Sequence, residues 1–122
     1  MDTQEICGED YSVQYDAEAA TVTFQGELSL ANPSEYQPIA ELLTQAIAGN
    51  TPQMTLNLQE LTFLNSSGIS TLSKFILSLR RQSSVQLVVL GSEEIPWQGK
   101  SLKNLQKLLP SLELKLLPME AG

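Results

Sequence analysis

The chain has 122 residues, enough for one domain with its own hydrophobic core and too few for two ordinary domains. It carries 14 acidic and 7 basic residues, for a formal net charge of −7. Nucleic acid is therefore a poor partner, because phosphate binding needs a concentrated basic face. Histidine is absent, which removes the commonest general base and transition-metal ligand. We predict a protein that is not an enzyme and has no catalytic residues, metal ligands or cofactor.

The first residues and the single cysteine indicate the cellular compartment of the protein. Cys7 is the only cysteine, so an intrachain disulfide is impossible and an oxidising compartment has no support. No apolar run approaches the ~20 residues that a transmembrane helix needs. The acidic start, residues 1–10, does not resemble a secretory signal. We therefore expect a cytoplasmic protein with no membrane contact.

The first third of the chain predicts a hairpin and a helix. Apolar and polar residues alternate from Tyr11 to Tyr15 and again from Val22 to Phe24, as in two short strands joined around residues 16–20. Asn32, Pro33 and Glu35 then form a helix start with a cap, a first-position proline and an acidic third residue. This helix is expected to bury five residues and to end at Gly49, before Pro52; the five are Ile39, Leu42, Leu43, Ala46 and Ile47.

The remainder alternates strands and helices. Strands are predicted near residues 54–58, 85–90 and 112–116, the second adjacent to the first and the last at an edge of the sheet. Helices are predicted near residues 67–82 and 102–109, the first ending with Arg80 and Arg81.

This order predicts an α/β fold in a single domain over residues 1–122: an N-terminal hairpin and then a mostly parallel sheet of about five strands, packed with three to four helices. Residues 1–9 and 118–122 are predicted to be flexible ends.

Four small polar residues join the strand at residues 54–64 to the following helix: Asn65, Ser66, Ser67 and Gly68. At a helix N-terminus, backbone N–H groups lack intrahelical partners, so these side chains either cap the helix or accept a phosphate that the helix dipole favours. Local physics favours a plain cap, because Asn and Ser are common cap residues.

The segment from Leu56 to Ile69, preceded by Gly26-Glu27-Leu28, resembles the core signature of STAS domains, the anti-sigma-factor antagonist family. The pattern in that family is an apolar strand followed by Asp-Ser-Ser/Thr-Gly-Leu/Ile at the start of a helix. Asn65 stands here at the position that is usually Asp. The motif covers about fourteen residues, whereas the order of elements agrees over nearly the whole chain.

This resemblance implies that Ser66 accepts a phosphate from a partner serine kinase that is also an anti-sigma factor, and that a serine phosphatase removes it. The chain would bind that partner when Ser66 is unphosphorylated. Two alternatives stay open: a STAS-like regulator of another signalling enzyme, such as a nucleotide cyclase, and a small-molecule-sensing STAS module, for which the sequence offers no convergent polar pocket.

The predicted partner-binding residues are Asn65, Ser66, Ser67, Gly68 and Trp97. Ser67 is expected to help cap the turn, and Gly68 to let a partner backbone approach. Trp97, the only tryptophan, lies in a segment (91–99) expected to be a loop on the same rim of the sheet as Ser66. It would be either an exposed binding anchor or, more in keeping with large aromatics, a cap on the core.

Overall fold

The computed structural model describes residues 3–47, 52–79 and 85–118. In these residues six strands form one sheet and follow one another in chain order across it. The strands are β1 (Thr3–Cys7), β2 (Tyr11–Asp16), β3 (Thr21–Leu28), β4 (Gln53–Leu64), β5 (Gln86–Ser92) and β6 (Glu113–Leu117). A 3-10 turn (Pro33–Tyr36) leads into α1 (Gln37–Ile47), and two further helices are α2 (Ser66–Ser78) and α3 (Pro96–Leu108).

The pairing of the strands confirms the α/β prediction. β1, β2 and β3 pair antiparallel, whereas β3, β4, β5 and β6 pair parallel. The predicted hairpin is β2–β3, β5 lies beside β4, and β6 is an edge strand, all as expected.

The sheet has six strands rather than about five, because β1 lies within the residues predicted to be a flexible end. Its Ile6 is opposite Val13 and packs against the core, which ties this short strand to β2.

One face of the sheet forms the core. Alternate residues of the central strands are buried with the apolar sides of the helices in a single cluster. The five residues predicted to be buried in α1 all belong to this cluster. The other face is polar where β2 and β3 meet: Ser12 Oγ donates to Gln25 Oε1 at 3.1 Å, and Gln25 Nε2 donates to Glu60 Oε1 at 3.4 Å. The helices therefore cover one side of the β2–β3 hairpin.

The starts of α1 and α3 differ from the predictions. The 3-10 turn precedes α1 because Pro38 has no N–H to donate into a continuous helix, and the Asn32 side chain makes no cap bond. Gly49, Arg80 and Arg81 fall outside the described residues, as do residues 119–122. Helix α3 begins at Pro96, so the expected loop over residues 91–99 is the end of β5, a short turn and the first turn of α3.

A buried glutamine attaches α3 to the sheet. The β4–β5 pairing stops at Asn57 and Leu90, beyond which β4 has no neighbouring ladder on that side. Gln98, which is fully buried, donates from Nε2 to the carbonyls of Leu58 at 2.6 Å and Leu61 at 2.9 Å. Its Oε1 accepts the Ser92 N–H at 2.7 Å. One side chain thus satisfies backbone groups of two strands where they separate.

Replacing Gln98 by Ala should therefore lower the free energy of unfolding by about 2–4 kcal/mol, because buried backbone groups of β4 and β5 lose their partners. Chemical denaturation of the purified variant measures this. Gln45→Ala, on the exposed side of α1, is the matched control and should change stability by less than about 0.5 kcal/mol. Equal stability of the two variants would show that Gln98 does not hold α3 on the sheet.

Candidate functional site

Asn65 is the cap of α2 and the centre of the turn between β4 and α2. Its backbone is extended, and its Oδ1 accepts the Gly68 N–H at 3.0 Å. Its own N–H donates to the Leu28 carbonyl at 3.2 Å, and its carbonyl accepts the Ile69 N–H at 3.0 Å. The plain-cap interpretation therefore applies to Asn65, and the residue after it, Ser66, is the first of the helix.

Tyr36 holds the Asn65 side chain from the opposite side. Its hydroxyl lies 2.5 Å from Asn65 Oδ1 and 3.3 Å from the Leu28 carbonyl, either of which can accept its proton, and it accepts the Leu30 N–H at 3.2 Å. Asn65 Nδ2 donates to the Leu30 carbonyl at 2.9 Å. Tyr36 is 1% exposed, and this burial raises its pKa above the usual value. The ring therefore stays neutral and able to donate at physiological pH.

This network explains why an amide stands at a position that is usually Asp in the family. The Asn65 side chain uses its oxygen as acceptor for two groups and its nitrogen as donor to a backbone carbonyl. A carboxylate accepts only, so it would face the Leu30 carbonyl without a proton between the two oxygens.

Ser66 is exposed at the first position of α2. Within the described part of the chain its hydroxyl has no hydrogen-bond partner. Ser67 is half-buried, and the bond at this residue is made by its carbonyl, which accepts from Thr71 Oγ1 at 3.0 Å. The predicted capping role of the Ser67 hydroxyl is not seen, since the cap is Asn65. Ser66 is the more exposed of the two serines of the turn.

Gly68 has a role inside the protein besides the predicted one. It is buried, and a methyl group on its Cα would overlap Leu64 Cδ1 and lie 2.9 Å from the Tyr36 hydroxyl. Both contacts would be far shorter than van der Waals distance. The glycine therefore lets α2 pack closely on Tyr36 inside the protein, and contact of a partner backbone with this residue stays a prediction.

Trp97 follows the second of its two interpretations. It is half-buried in the first turn of α3, packs against the core and donates from Nε1 to the Leu61 carbonyl at 3.3 Å. That carbonyl also accepts from Gln98, so two neighbouring side chains of α3 bind one point of β4. Trp97 joins α3 to the strand that leads into the turn and is not an exposed anchor.

Phe63 is an exposed aromatic residue that the sequence analysis did not single out. It lies two positions before Asn65 and is 46% exposed, opposite Glu27 on β3. Its signal in the sequence is the adjacent apolar pair Phe63 and Leu64, since successive residues of a strand point to opposite faces and one of the two must leave the core; Leu64 is the buried one. It adds apolar surface close to the turn that carries Ser66.

Comparisons with known proteins identify the family and the fold. The STAS domain family profile matches residues 11–98, and the chain therefore belongs to the STAS domain family. No curated protein sequence gives a significant match. In the described residues we find no cluster of potential metal ligands and no helix long and apolar enough to cross a membrane.

Solved structures share the fold at low sequence identity. SiaC of Pseudomonas aeruginosa aligns with a TM-score of 0.73 at 18% identity, over 98% of this chain and 100% of that one. A chain from the crystal structure of diguanylate cyclase SiaD in complex with its activator SiaC, from the same organism, gives 0.75 at 17% identity, over 95% and 99%. Apo-SiaC gives 0.74 at 15% identity, over 95% and 98%. At these identities the likeness establishes the fold.

The Asn65 network predicts the effect of restoring the usual family residue. Asn65→Asp should lower the free energy of unfolding by about 1–2 kcal/mol, because the lost donor to Leu30 outweighs the ~0.3–1 kcal/mol that the helix dipole returns to a negative charge. Urea denaturation measures the change. The control Asn104→Asp adds the same charge on an exposed position of α3 and should have little effect. An Asn65→Asp variant as stable as the parent would contradict the network.

The packing of Gly68 predicts that Gly68→Ala lowers stability by about 1–3 kcal/mol, since Leu64 and Tyr36 must move. Gly99 provides the matched control: it lies in α3, and a methyl group there would meet nothing within 4 Å. Gly99→Ala should therefore be neutral or stabilise by up to about 1 kcal/mol through helix propensity. Thermal denaturation of both variants compares them directly, and a harmless Gly68→Ala would refute the close approach.

Proposed function

We propose that this STAS domain is a phosphorylation-switched binding module that regulates a signalling enzyme, and that this enzyme is a nucleotide cyclase of the diguanylate cyclase type. It acts by binding rather than by catalysis. The observation that carries the proposal is the exposed and unbonded hydroxyl of Ser66 on a turn that Asn65 and Tyr36 hold in place. A kinase can reach this hydroxyl, and a partner can read its state.

One observation outside the site supports a nucleotide cyclase as the partner. SiaC, whose fold this chain shares, is an activator of the diguanylate cyclase SiaD. A serine kinase and a serine phosphatase would set the state of Ser66, as the family resemblance implies. The anti-sigma role implied by the same resemblance has no comparable support, and Asn65 departs from the pattern on which that resemblance is based.

The physics of the site favours a switch that acts on binding. Phosphate adds about −1.5 to −2 charges at neutral pH. At the N-terminus of α2 the helix dipole stabilises an exposed charge by roughly 0.3–1 kcal/mol, so the domain stays folded. The one basic residue of α2 is Lys74, about 12 Å further along at 1.5 Å per residue, so no cation of the helix neutralises the phosphate. A partner seated on the turn would have to bury that charge unpaired, which costs several kcal/mol.

The test measures product formation by the diguanylate cyclases of the source organism, each purified and mixed with the chain. Unmodified protein and Ser66→Ala should change the rate of one cyclase at a stoichiometric ratio. Protein carrying genetically encoded phosphoserine at position 66 should bind it at least about tenfold more weakly. Ser111→Asp, which adds charge in an exposed turn remote in sequence from the motif, is the control and should behave as the parent.

Two results would contradict the proposal. If phosphoserine at position 66 leaves cyclase binding unchanged, Ser66 is not the switch. If every cyclase is unaffected while a serine-kinase anti-sigma factor of the same organism binds the unmodified chain, the anti-sigma interpretation replaces the cyclase one.

A further inference from the structure

The outward side of α2 differs in charge from the rest of the protein. The chain has a net charge of −7, yet α2 (SSGISTLSKFILS) contains no acidic residue, and Lys74 is its only charged one. Surface helices usually carry charged residues of both signs on the solvent side. The solvent-exposed side of α2 is therefore weakly positive, whereas the protein as a whole is acidic.

An exposed leucine lies on the same side of the helix. Leu77 is 39% exposed, one of only two large apolar side chains so exposed in the described residues. Positions 66, 70, 74 and 77 are three or four residues apart, so Leu77 shares a helix side with Ser66, Ser70 and Lys74. We call these four residues the α2 face.

A groove between α1 and α2 borders the α2 face. It encloses about 480 Å³, with Tyr36 and Phe75 among its buried residues and Ala40 beside them. Thr44 and Thr71 line it as well, but their hydroxyls donate to the Ala40 and Ser67 carbonyls of their own helices at 3.0 Å. Among the described residues, Lys74 is the only charged one that lines the groove. Ser34, Gln37 and Ser78 complete the lining, and Glu41 lines a smaller hollow next to it on α1. The groove thus offers a small apolar base, polar walls and one cation on the α2 side.

We propose that the α2 face and this groove dock an amphipathic helix of the regulated enzyme, with a carboxylate opposite Lys74 and apolar side chains on Leu77 and in the groove. The proposal rests on the proposed function and adds the chemistry of the partner. The 13 residues of α2 extend about 20 Å, a length that four turns of a partner helix would match.

Charge complementarity favours an acidic helix of the partner over a basic one. A basic helix would be drawn to the acidic remainder of the surface, and a phosphate on Ser66 would strengthen its binding. An acidic helix pairs with the single cation of the α2 face and is repelled by that phosphate at the other end of the same face. The acidic occupant is therefore the one that the switch can release.

The experiment titrates the cyclase that responds in the preceding test with variants of the α2 face. By isothermal titration calorimetry, Lys74→Glu and Leu77→Ser should each weaken binding by about tenfold or more, whereas Lys74→Arg should stay within about threefold of the parent. Lys103→Glu, at an exposed position of α3, is the matched charge reversal and should bind as the parent does. Circular dichroism confirms that each variant is folded.

The outcomes separate this inference from the proposed function. If phosphoserine at position 66 weakens binding but Lys74→Glu and Leu77→Ser do not, the docking surface is wrong and the switch stands. If Leu77→Ser only abolishes self-association in sedimentation experiments, a second copy covers the α2 face and the inference is overturned.

If no cyclase binds, the surface is tested alone by NMR titration with two 18-residue amphipathic helical peptides that differ only in Glu or Lys beside the apolar side. Shifts at Thr71, Lys74 and Leu77 with the acidic peptide alone support the inference. An equal response to both peptides, or no response, overturns it.

Discussion

The hydrogen bond between the Tyr36 hydroxyl and the Asn65 side chain fixes the geometry on which the rest of the site depends. The tyrosine hydroxyl bonds to the end of β3, to the segment after it and to the start of α2. Asn65 connects the same three pieces, because its side chain bonds to Leu30 and Gly68 and its backbone N–H donates to the Leu28 carbonyl. Gly68 completes the arrangement, because only a residue without a side chain lets α2 approach Tyr36 so closely. The position of Ser66 follows from these contacts, since it is the next residue after the cap.

The site thus combines a buried part and an exposed part that have different tasks. Asn65, Tyr36 and Gly68 lie inside or partly inside the protein and set the position of the helix start. Ser66 lies outside it, with a hydroxyl that carries none of the described bonds. In the proposed function, a phosphate on Ser66 would leave the cap intact and change the charge of the surface, which is the property that a partner protein would detect.

Much of this architecture could be predicted from the sequence, because the hydrophobic period distinguishes strands from helices and short connections restrict the topology. The hairpin, the neighbouring central strands and a turn into a helix around Asn65 to Gly68 all follow in this way. Strand β1 was not predicted because its five residues, Thr3 to Cys7, lack a clear apolar alternation. Pairing with β2 holds this strand in the sheet.

The roles of Gly68 and Gln98 could not be predicted from the sequence, since they are defined by contacts between distant segments; for Trp97 the sequence suggested packing on the core but not the carbonyl that it binds. A glycine in a turn motif has many uses, and only the nearness of Tyr36 and Leu64 reveals this one. A glutamine in an amphipathic helix is normally on the solvent side, whereas Gln98 replaces a missing ladder between β4 and β5. Trp97, next to Gln98, donates a hydrogen bond to the Leu61 carbonyl, which Gln98 also binds.

The central claim is that the state of Ser66 controls a complex with a signalling enzyme. The most direct measurement is phosphosite mapping by mass spectrometry of the protein isolated from its native cells, with the co-purifying proteins of the modified and unmodified forms identified separately. We predict phosphate on Ser66 and a nucleotide cyclase bound only to the unmodified form. An unmodified Ser66 with the same partners under all growth conditions would contradict the account and reduce the motif to a helix start.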